Sequence, residues 1–275
     1  MPALAMRLGT RSPVIPERRF ASFELRRLEW DTNHFGQKMG VLAVIPSEDR
    51  AREDTLARDL RIALDEARDD GYAHVILRVP AESLRVARAA ERSEMRLVDV
   101  AVDLAVSLAA RHSVTAVGPG IRPATAADLD ALRAIAESAF EFSRFASDPF
   151  FSSEQVAGFY RQWITNLSAG LAQAILVAEA TDEIVGFSSC AIQPDGTGRI
   201  PLIATSEAHR RQGVGRSLIE CSLRWFSAAG IRNVRVKTQA ANYSALALYH
   251  RAGFQDATAE LTFSATLALR DSSPR

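Results

Sequence analysis

Apolar and polar positions follow two rhythms along this chain, one of period two and one of period 3.6, and they alternate from element to element. Residues 23–28 alternate as a strand and run into a polar and aromatic corner at 29–36. An apolar strand follows at 41–45. Residues 49–70 read as an amphipathic helix with Leu56, Leu60, Ala63, Leu64 and Ala67 on one face, and Gly71 stops it. A buried-type strand at 75–80, a second helix at 82–93 and a long alternating strand at 97–107 complete this half. In the second half, Thr125 caps a helix whose apolar positions are Leu129, Leu132, Ile135, Ala136, Ala139 and Phe140. An aromatic, irregular stretch at 140–151 leads to a helix through 159–166. Strands at 175–180 and 184–191 then form a hairpin turned by Thr181, Asp182 and Glu183, and a third strand runs through 198–205. A helix carrying Leu218, Ile219, Ser222, Leu223, Trp225 and Phe226 ends at Gly230. A strand at 234–238 and a helix from Asn242 close the pattern.

The two halves share an order of elements. Advance the numbering by 159 and Gly71 falls on Gly230, Val75 on Val234, Leu77 on Val236, Arg92 on Arg251 and Met95 on Phe254. Helix, glycine, strand, helix and strand align without a gap, which suggests a repeated unit. The copies differ at polar and small positions. Gly213 and Gly215 correspond to Asp54 and Leu56, with Glu53 and Asp49 nearby, and Tyr249 corresponds to Ala90.

Length and composition narrow the classes. The chain has 275 residues, 47% hydrophobic and 24% charged, enough for two domains with real cores. The expected organisation is a loosely ordered tail at 1–20, a first domain at 21–110, a linker at 111–120 and a second domain at 121–270. Formal net charge is zero, so no general pull toward nucleic acid or membrane is expected. Lysine occurs only at Lys38 and Lys237, and arginine carries the positive charge. Cys190 and Cys221 make neither a disulfide framework nor a metal-ligand spacing, so no metal is expected and a reducing cytoplasm is. No apolar run reaches membrane length, and the arginine-bearing start lacks the apolar core of a secretory signal.

Chemistry concentrates between Ile200 and Gly253. The strand Leu202-Ile203-Ala204 ends in a polar corner, followed by His209-Arg210-Arg211-Gln212-Gly213-Val214-Gly215-Arg216 and a helix. Glycines between a strand and a helix let the backbone pass close to a ligand, and the first N–H groups of the helix lack internal partners. With the helix dipole behind them, those donors suit an anion such as a diphosphate. Two glycines at a helix start are often only turn chemistry, but a second cluster follows: Asn242…Ala245…Leu248-Tyr249…Gly253-Phe254.

On these two clusters, in this order and spacing, the chain resembles the GNAT acetyltransferase superfamily. Arg210-x-x-Gly213-x-Gly215 is similar to its acyl-CoA diphosphate loop and the Asn242–Phe254 cluster to its second signature. The resemblance implies an α/β (α+β) fold with a splayed mixed sheet, preceded here by a smaller, degenerate GNAT-like domain. It implies acetyl-CoA as co-substrate. Gln212, Gly213, Val214, Gly215 and Arg216 would hold the diphosphate, with Arg210 and Arg211 adding charge. Leu202, Ile203 and Ala204 would pair with the pantetheine arm, and Asn242 and Ala245 would contact it. Tyr249 would be the general acid that protonates the departing thiolate. The base stays open among Glu141, His209, Glu207, His34, Asp31 and water, and His250 reads as surface.

In that fold the acceptor sits near the first two helices. The segment Phe142-Ser143-Arg144-Phe145 with Phe159-Tyr160-x-x-Trp163-Ile164, and the corner Trp30-Asp31…Phe35-Gly36, resemble family members that acetylate nucleotide-linked amino sugars. Any one of these aromatics is more often core filling. The arginine among them suits a phosphate and a base, so Arg144, Phe145 and Tyr160 stand as acceptor-side candidates. The expectation is direct acetyl transfer to a primary amine, the acceptor being a nucleotide-linked deoxyamino sugar. Another small-molecule or protein amine is the alternative, and a non-catalytic CoA-binding sensor is the rival from another class. A homodimer is left open.

Overall fold

The computed structural model describes residues 17–46, 51–108 and 120–267. The expected tail up to residue 16 and the linker at 111–119 therefore lie outside the described residues, as does Asp49. The chain opens with β1 (Arg18–Arg19), β2 (Phe23–Arg27), α1 (Glu29–Phe35) and β3 (Met39–Val44). Then come α2 (Glu53–Asp69), β4 (His74–Pro80), α3 (Leu84–Arg92) and β5 (Arg96–Ser107). Past residue 120 follow β6 (Ile121–Pro123), α4 (Leu129–Ala139), α5 (Arg144–Ser147) and α6 (Ser153–Asn166). The meander is β7 (Ala174–Ala180), β8 (Glu183–Ile192), β9 (Gly198–Ile200) and β10 (Ile203–Thr205). Last are α7 (Val214–Ala228), β11 (Asn233–Gln239), α8 (Tyr243–Arg251) and β12 (Gln255–Thr266).

Two compact units emerge, and their limits do not follow the order of the chain. Of the described residues, the first takes 17–46, 51–101, the short segment 147–150 and 258–267. The second takes 102–108, 120–146 and 151–257. Sequence reading placed the division near 110 and all of 121–270 in one domain. The difference comes from the long strands β5 and β12, whose pairing partners lie far off in sequence.

In the first unit the strands run in the order β1, β2, β3, β4, β12. Only the β3–β4 pair is parallel; β12 lies antiparallel to β4, with Leu261 opposite Val79 and Phe263 opposite Leu77. The apolar face of α2 (Leu56, Leu60, Ala63, Leu64 and Ala67) is buried in one core with Phe23, Leu25, Val75, Leu77 and Phe263. Residues 29–35 of the stretch read from sequence as a corner form the helix α1. Two acidic residues in its first turn favour it, and Gly36 at φ 67° closes it with an N–H bond to Thr32 O. Seven residues are too few to display a helical period. Asp148, 3% exposed, anchors the segment 147–150 in this unit through a 2.8 Å contact with His74 Nε2.

The second unit is built on the order β11, β9, β8, β7, β6, with β9 parallel to β11 and the other pairs antiparallel. Thr181 and Asp182, at φ 50° and 64°, make the two-residue hairpin turn between β7 and β8. Thr125 and Asp128 form a reciprocal capping box ahead of α4. Asp128 is held further by Arg122, at 2.8 and 2.9 Å. Leu104 and Val106 of β5 join Leu218, Leu223, Phe226, Val234, Val236 and Phe254 in one core. Asp103, 8% exposed, ties the same strand to Arg235 (3.0 Å) and Arg199 (3.5 Å).

The offset of 159 seen in the sequence recurs in the element bounds. Advanced by it, β4, α3 and β5 land residue for residue on β11, α8 and β12. Each unit nevertheless takes a last strand from the other half of the chain. The tail of β12 pairs in the first unit, and the tail of β5 packs in the second.

Candidate active site

The site lies wholly in the second unit and begins with a broken strand. Residues 198–205 read as one strand; the structure has two, because Pro201 offers no N–H to continue the ladder. At the break, Leu202 N–H turns to Ser189 Oγ (2.9 Å), while Leu202 O accepts from Ser189 N (2.8 Å) and from Ser189 Oγ (2.9 Å). Before the break, β9 pairs with both β8 and β11. After it, β10 pairs with β8 alone. The outer edge of β10 therefore has no strand on it among the described residues.

Register decides which groups that edge presents. Ala204 lies opposite Phe187, and Ser206 N–H donates to Val185 O. With the two-residue alternation of an antiparallel ladder, Leu202, Ala204 and Ser206 direct their backbone groups into β8. Ile203 and Thr205 direct theirs to the open edge. Of the three strand residues the sequence nominated, only Ile203 has backbone free for a ligand, and Thr205 is the partner it missed.

The chain then enters the glycine turn. Arg211 takes φ 63° and Gly213 φ 85°, so the backbone doubles back twice before α7 starts. The first helical bond is Ser217 N–H to Gly213 O. None of the N–H groups of residues 211–216 finds an acceptor among the described residues. A Cβ on Gly215 would stand 3.3 Å from Leu248 Cδ2, so a side chain there would crowd α8. Gln212 is exposed, and its amide donates back to Ala208 O at 2.9 Å. Val214 packs on the core.

Across from the turn, Asn242 caps α8 by accepting from Ala245 N–H (3.2 Å) and Ser244 Oγ (3.0 Å). Tyr249, about two turns further along, is 4% exposed and meets the ring of Phe254 edge-on at 5.8 Å. Burial alone raises its phenol well above the ordinary tyrosine range, so it stays protonated.

These pieces surround a cleft of about 830 Å³. Ile203, Ala204, Arg210, Arg211, Gly213, Gly215, Arg216, Asn242, Ala245 and Tyr249 all line it. Leu248 of the second cluster lines it too, as do Thr205 and Arg251, which were not singled out as site residues from sequence. A smaller cavity of about 110 Å³ shares Ile203, Asn242, Ala245 and Tyr249 with the cleft and adds Val236, Lys237, Thr238 and Gln239. Tyr249 thus stands where the two meet. Among the base candidates, Glu141 and His209 line the cleft, and His209 Nδ1 lies 2.9 Å from Ser206 Oγ. Glu207 lines neither cavity, and Asp31 and His34 belong to α1 of the first unit. His250 is exposed and pairs with Asp256 at 2.8 Å.

The acceptor-side candidates are placed differently. Phe145, 4% exposed, packs on Phe151 and Phe159 at 5.1 and 4.1 Å, with the Arg144 guanidinium 3.7 Å above its ring. Tyr160, 6% exposed, stacks on Phe140 at 4.3 Å. Phe145 and Tyr160 are core filling, and neither they nor Arg144 line either cavity. Phe142, 46% exposed, is the aromatic of this segment that lines both. Among the described residues no helix is long and apolar enough to cross a membrane, and no cluster of three potential metal ligands forms.

Residues 131–254, from α4 through the end of α8, match the model of the acetyltransferase (GNAT) family. These residues are a GNAT acetyltransferase domain. The matched residues take in β10, the glycine turn, α7 and α8, the elements that surround the cleft. A curated relative, a dTDP-fucosamine acetyltransferase of Escherichia coli O6:H1, is 27% identical over 228 residues, covering 82% of this chain and 91% of that one. Solved structures share the fold at lower identity. A GCN5-related N-acetyltransferase from Sphaerobacter thermophilus superposes with TM-score 0.64 at 17% identity, covering 90% of this chain and 77% of that one. A tandem GNAT protein from the clavulanic acid biosynthesis pathway, solved without acetyl-CoA, gives 0.57 at 15% identity, covering 91% and 80%.

Proposed function

We propose that the protein transfers an acetyl group directly from acetyl-CoA to the primary amine of a nucleotide-linked deoxyamino sugar. One observation carries the acceptor: the likeness to the dTDP-fucosamine acetyltransferase spans most of both chains rather than the acyl-donor motifs alone. The cleft is consistent with the donor. It combines unpaired N–H groups at 211–216, the open edge of β10 and the cations Arg210, Arg211 and Arg216.

Bound acetyl-CoA would supply a thioester whose carbonyl is open to an amine and whose sulfur departs as a thiolate. The N–H groups of the turn and of the first turn of α7 would take the diphosphate, favoured by the helix dipole. Ile203 and Thr205 would pair with the pantetheine amides, and the N–H of Ile203 would polarise the thioester carbonyl without reorganisation. Tyr249, neutral and buried where the two cavities meet, would give its proton to the thiolate. A thiol of pKa about 8.5 is the stronger acid of the two, so this transfer runs uphill and is completed only as the thiol leaves. No carboxylate or imidazole lines the smaller cavity. A neutral acceptor amine suits that environment, and a sugar amine sheds its proton more easily than a lysine does. His209 and Glu141 in the cleft would take up that proton through water. Cys190 has no part in the transfer: it is fully buried, and burial pushes its thiol up to about 12.

The test is acetyl-CoA consumption with mass detection of product, offering TDP-linked 4-amino-4,6-dideoxyhexoses beside amino acids and polyamines. Transfer to the nucleotide sugars is expected. Transfer only to simple amines would overturn the acceptor and keep the chemistry, and acetyl-CoA binding without transfer to any amine would favour a sensor.

A further inference from the structure

Arg251 stands at the last position of α8 and lines the cleft, and no carboxylate or other partner meets it among the described residues. Its counterpart in the first unit, at the same offset that superposes β4 on β11 and α3 on α8, is Arg92, the last residue of α3. That arginine is already satisfied. Arg92 Nη1 lies 3.1 Å from Glu53 Oε1 and 2.8 Å from Asp54 Oδ1, the first two residues of α2.

The pairing in the first unit shows what such an arginine reaches. Glu53 and Asp54 are the counterparts of Gln212 and Gly213, the residues that lead into α7. Their carboxylates therefore stand at a helix start, where the second unit has bare N–H groups. The rest of that helix start is filled as well: Leu56, the counterpart of Gly215, is fully buried, and so is Ala90, the counterpart of Tyr249. The first unit carries its own anions against its own arginine. The second has replaced both carboxylates with neutral residues and kept the cation.

We propose that Arg251 binds the diphosphate of the acyl donor, the same anion held by the N–H groups of residues 211–216, taking in that ligand the place Glu53 and Asp54 fill for Arg92. This rests on the acetyl-CoA reading above. It makes Arg251 an affinity-determining residue of the donor site and makes the first unit's equivalent position a self-satisfied one that takes no such ligand.

Calorimetric titration of the full chain with CoA and with 3′-dephospho-CoA tests it without recourse to activity. Arg251→Ala should weaken both by about tenfold, as expected on removing a charge-assisted contact, and Arg251→Lys should fall between. The thermal midpoint without ligand should not move, since Arg251 holds nothing in the free protein. A loss confined to CoA would assign the arginine to the 3′-phosphate and overturn the proposal, as would unchanged affinity for both. If the unsubstituted protein bound neither compound, the donor reading itself would fall, an outcome separable from the others because it needs no variant.

Discussion

The carboxylate of Glu141, two residues past the end of α4, stands 3.6 Å from the guanidinium of Arg210 at the start of the glycine turn. Both residues line the cleft, and Glu141 is followed by Phe142, which lines both cavities. Arg210 is therefore shared between an internal carboxylate and any anion that enters the turn. The pair is solvent-exposed, with side chains 64% and 40% accessible, so the competition is weak.

Glu141→Gln should accordingly tighten CoA binding about twofold to fivefold at low ionic strength. The gain should fade as salt screens the freed arginine. Titrations at low and high salt check it, and weaker binding of CoA by the variant would mean that Glu141 helps hold the donor rather than competing with it.

Tyr249→Phe should lower the rate of transfer by about tenfold or more and leave CoA affinity unchanged. Because the folded phenol is raised above the ordinary value of about 10, its proton should remain in place through pH 9–10. No alkaline fall in rate below that range should trace to this group. Stability follows with the opposite sense: above about pH 10 the unfolded chain loses this proton first, so the wild type should lose stability relative to the phenylalanine variant as pH rises. Melting temperatures of the pair at pH 9 and pH 11 measure the difference.

Gly186→Ala places a Cβ 2.8 Å from Ala204 O and 3.2 Å from both Leu218 Cδ1 and Val214 Cγ1. Those neighbours are β10 and the first turns of α7, so the donor side must shift. A loss of about 1–3 kcal/mol is expected, with weaker CoA binding. Gly158→Ala is the contrast. It lies within α6 with nothing within 4 Å of its Cβ, so better helix propensity should stabilise the protein by up to about 1 kcal/mol. Thermal unfolding of the two variants should move in opposite directions.

Asp128 is held far below the usual carboxylate range, first by the Arg122 guanidinium and then by the Thr125 N–H. A depressed carboxylate contributes stability above its unfolded value near 4, and that contribution is lost as pH falls through the folded one. Asp128→Asn should therefore melt below wild type at pH 7. The gap should close steadily from about pH 5 downward. A gap independent of pH would show that the capping geometry, not the charge, matters.

Much of this was legible beforehand, for reasons that can be traced to particular residues. The bounds of α7 follow from Gly213 and Gly230 at its two ends and apolar residues at helical spacing between them. The cap at Thr125 and the hairpin turn at Thr181, Asp182 and Glu183 are each contained within a few residues. Such features rest on neighbours along the chain, and the hydrophobic period displays them. The short helix α1 escaped because seven residues hold too little periodicity.

The sequence by itself determined the order of elements and the glycine turn, because each follows from local backbone preference and spacing, while the place of Tyr249 beside that turn was implied only by the GNAT resemblance. Pro201 is written in the sequence, but only the tertiary structure decided that the edge of β10 stays open beyond it, since that depends on which strands lie beside β9 and β10. Likewise, only folding decided that Phe145 and Tyr160 fill a core while Phe142 lines the cleft, and that Arg251 lines the cleft with no partner among the described residues. The long strands show the same division most plainly. Their alternation is written in the chain, but which partner β5 and β12 take is settled by contacts more than a hundred residues away.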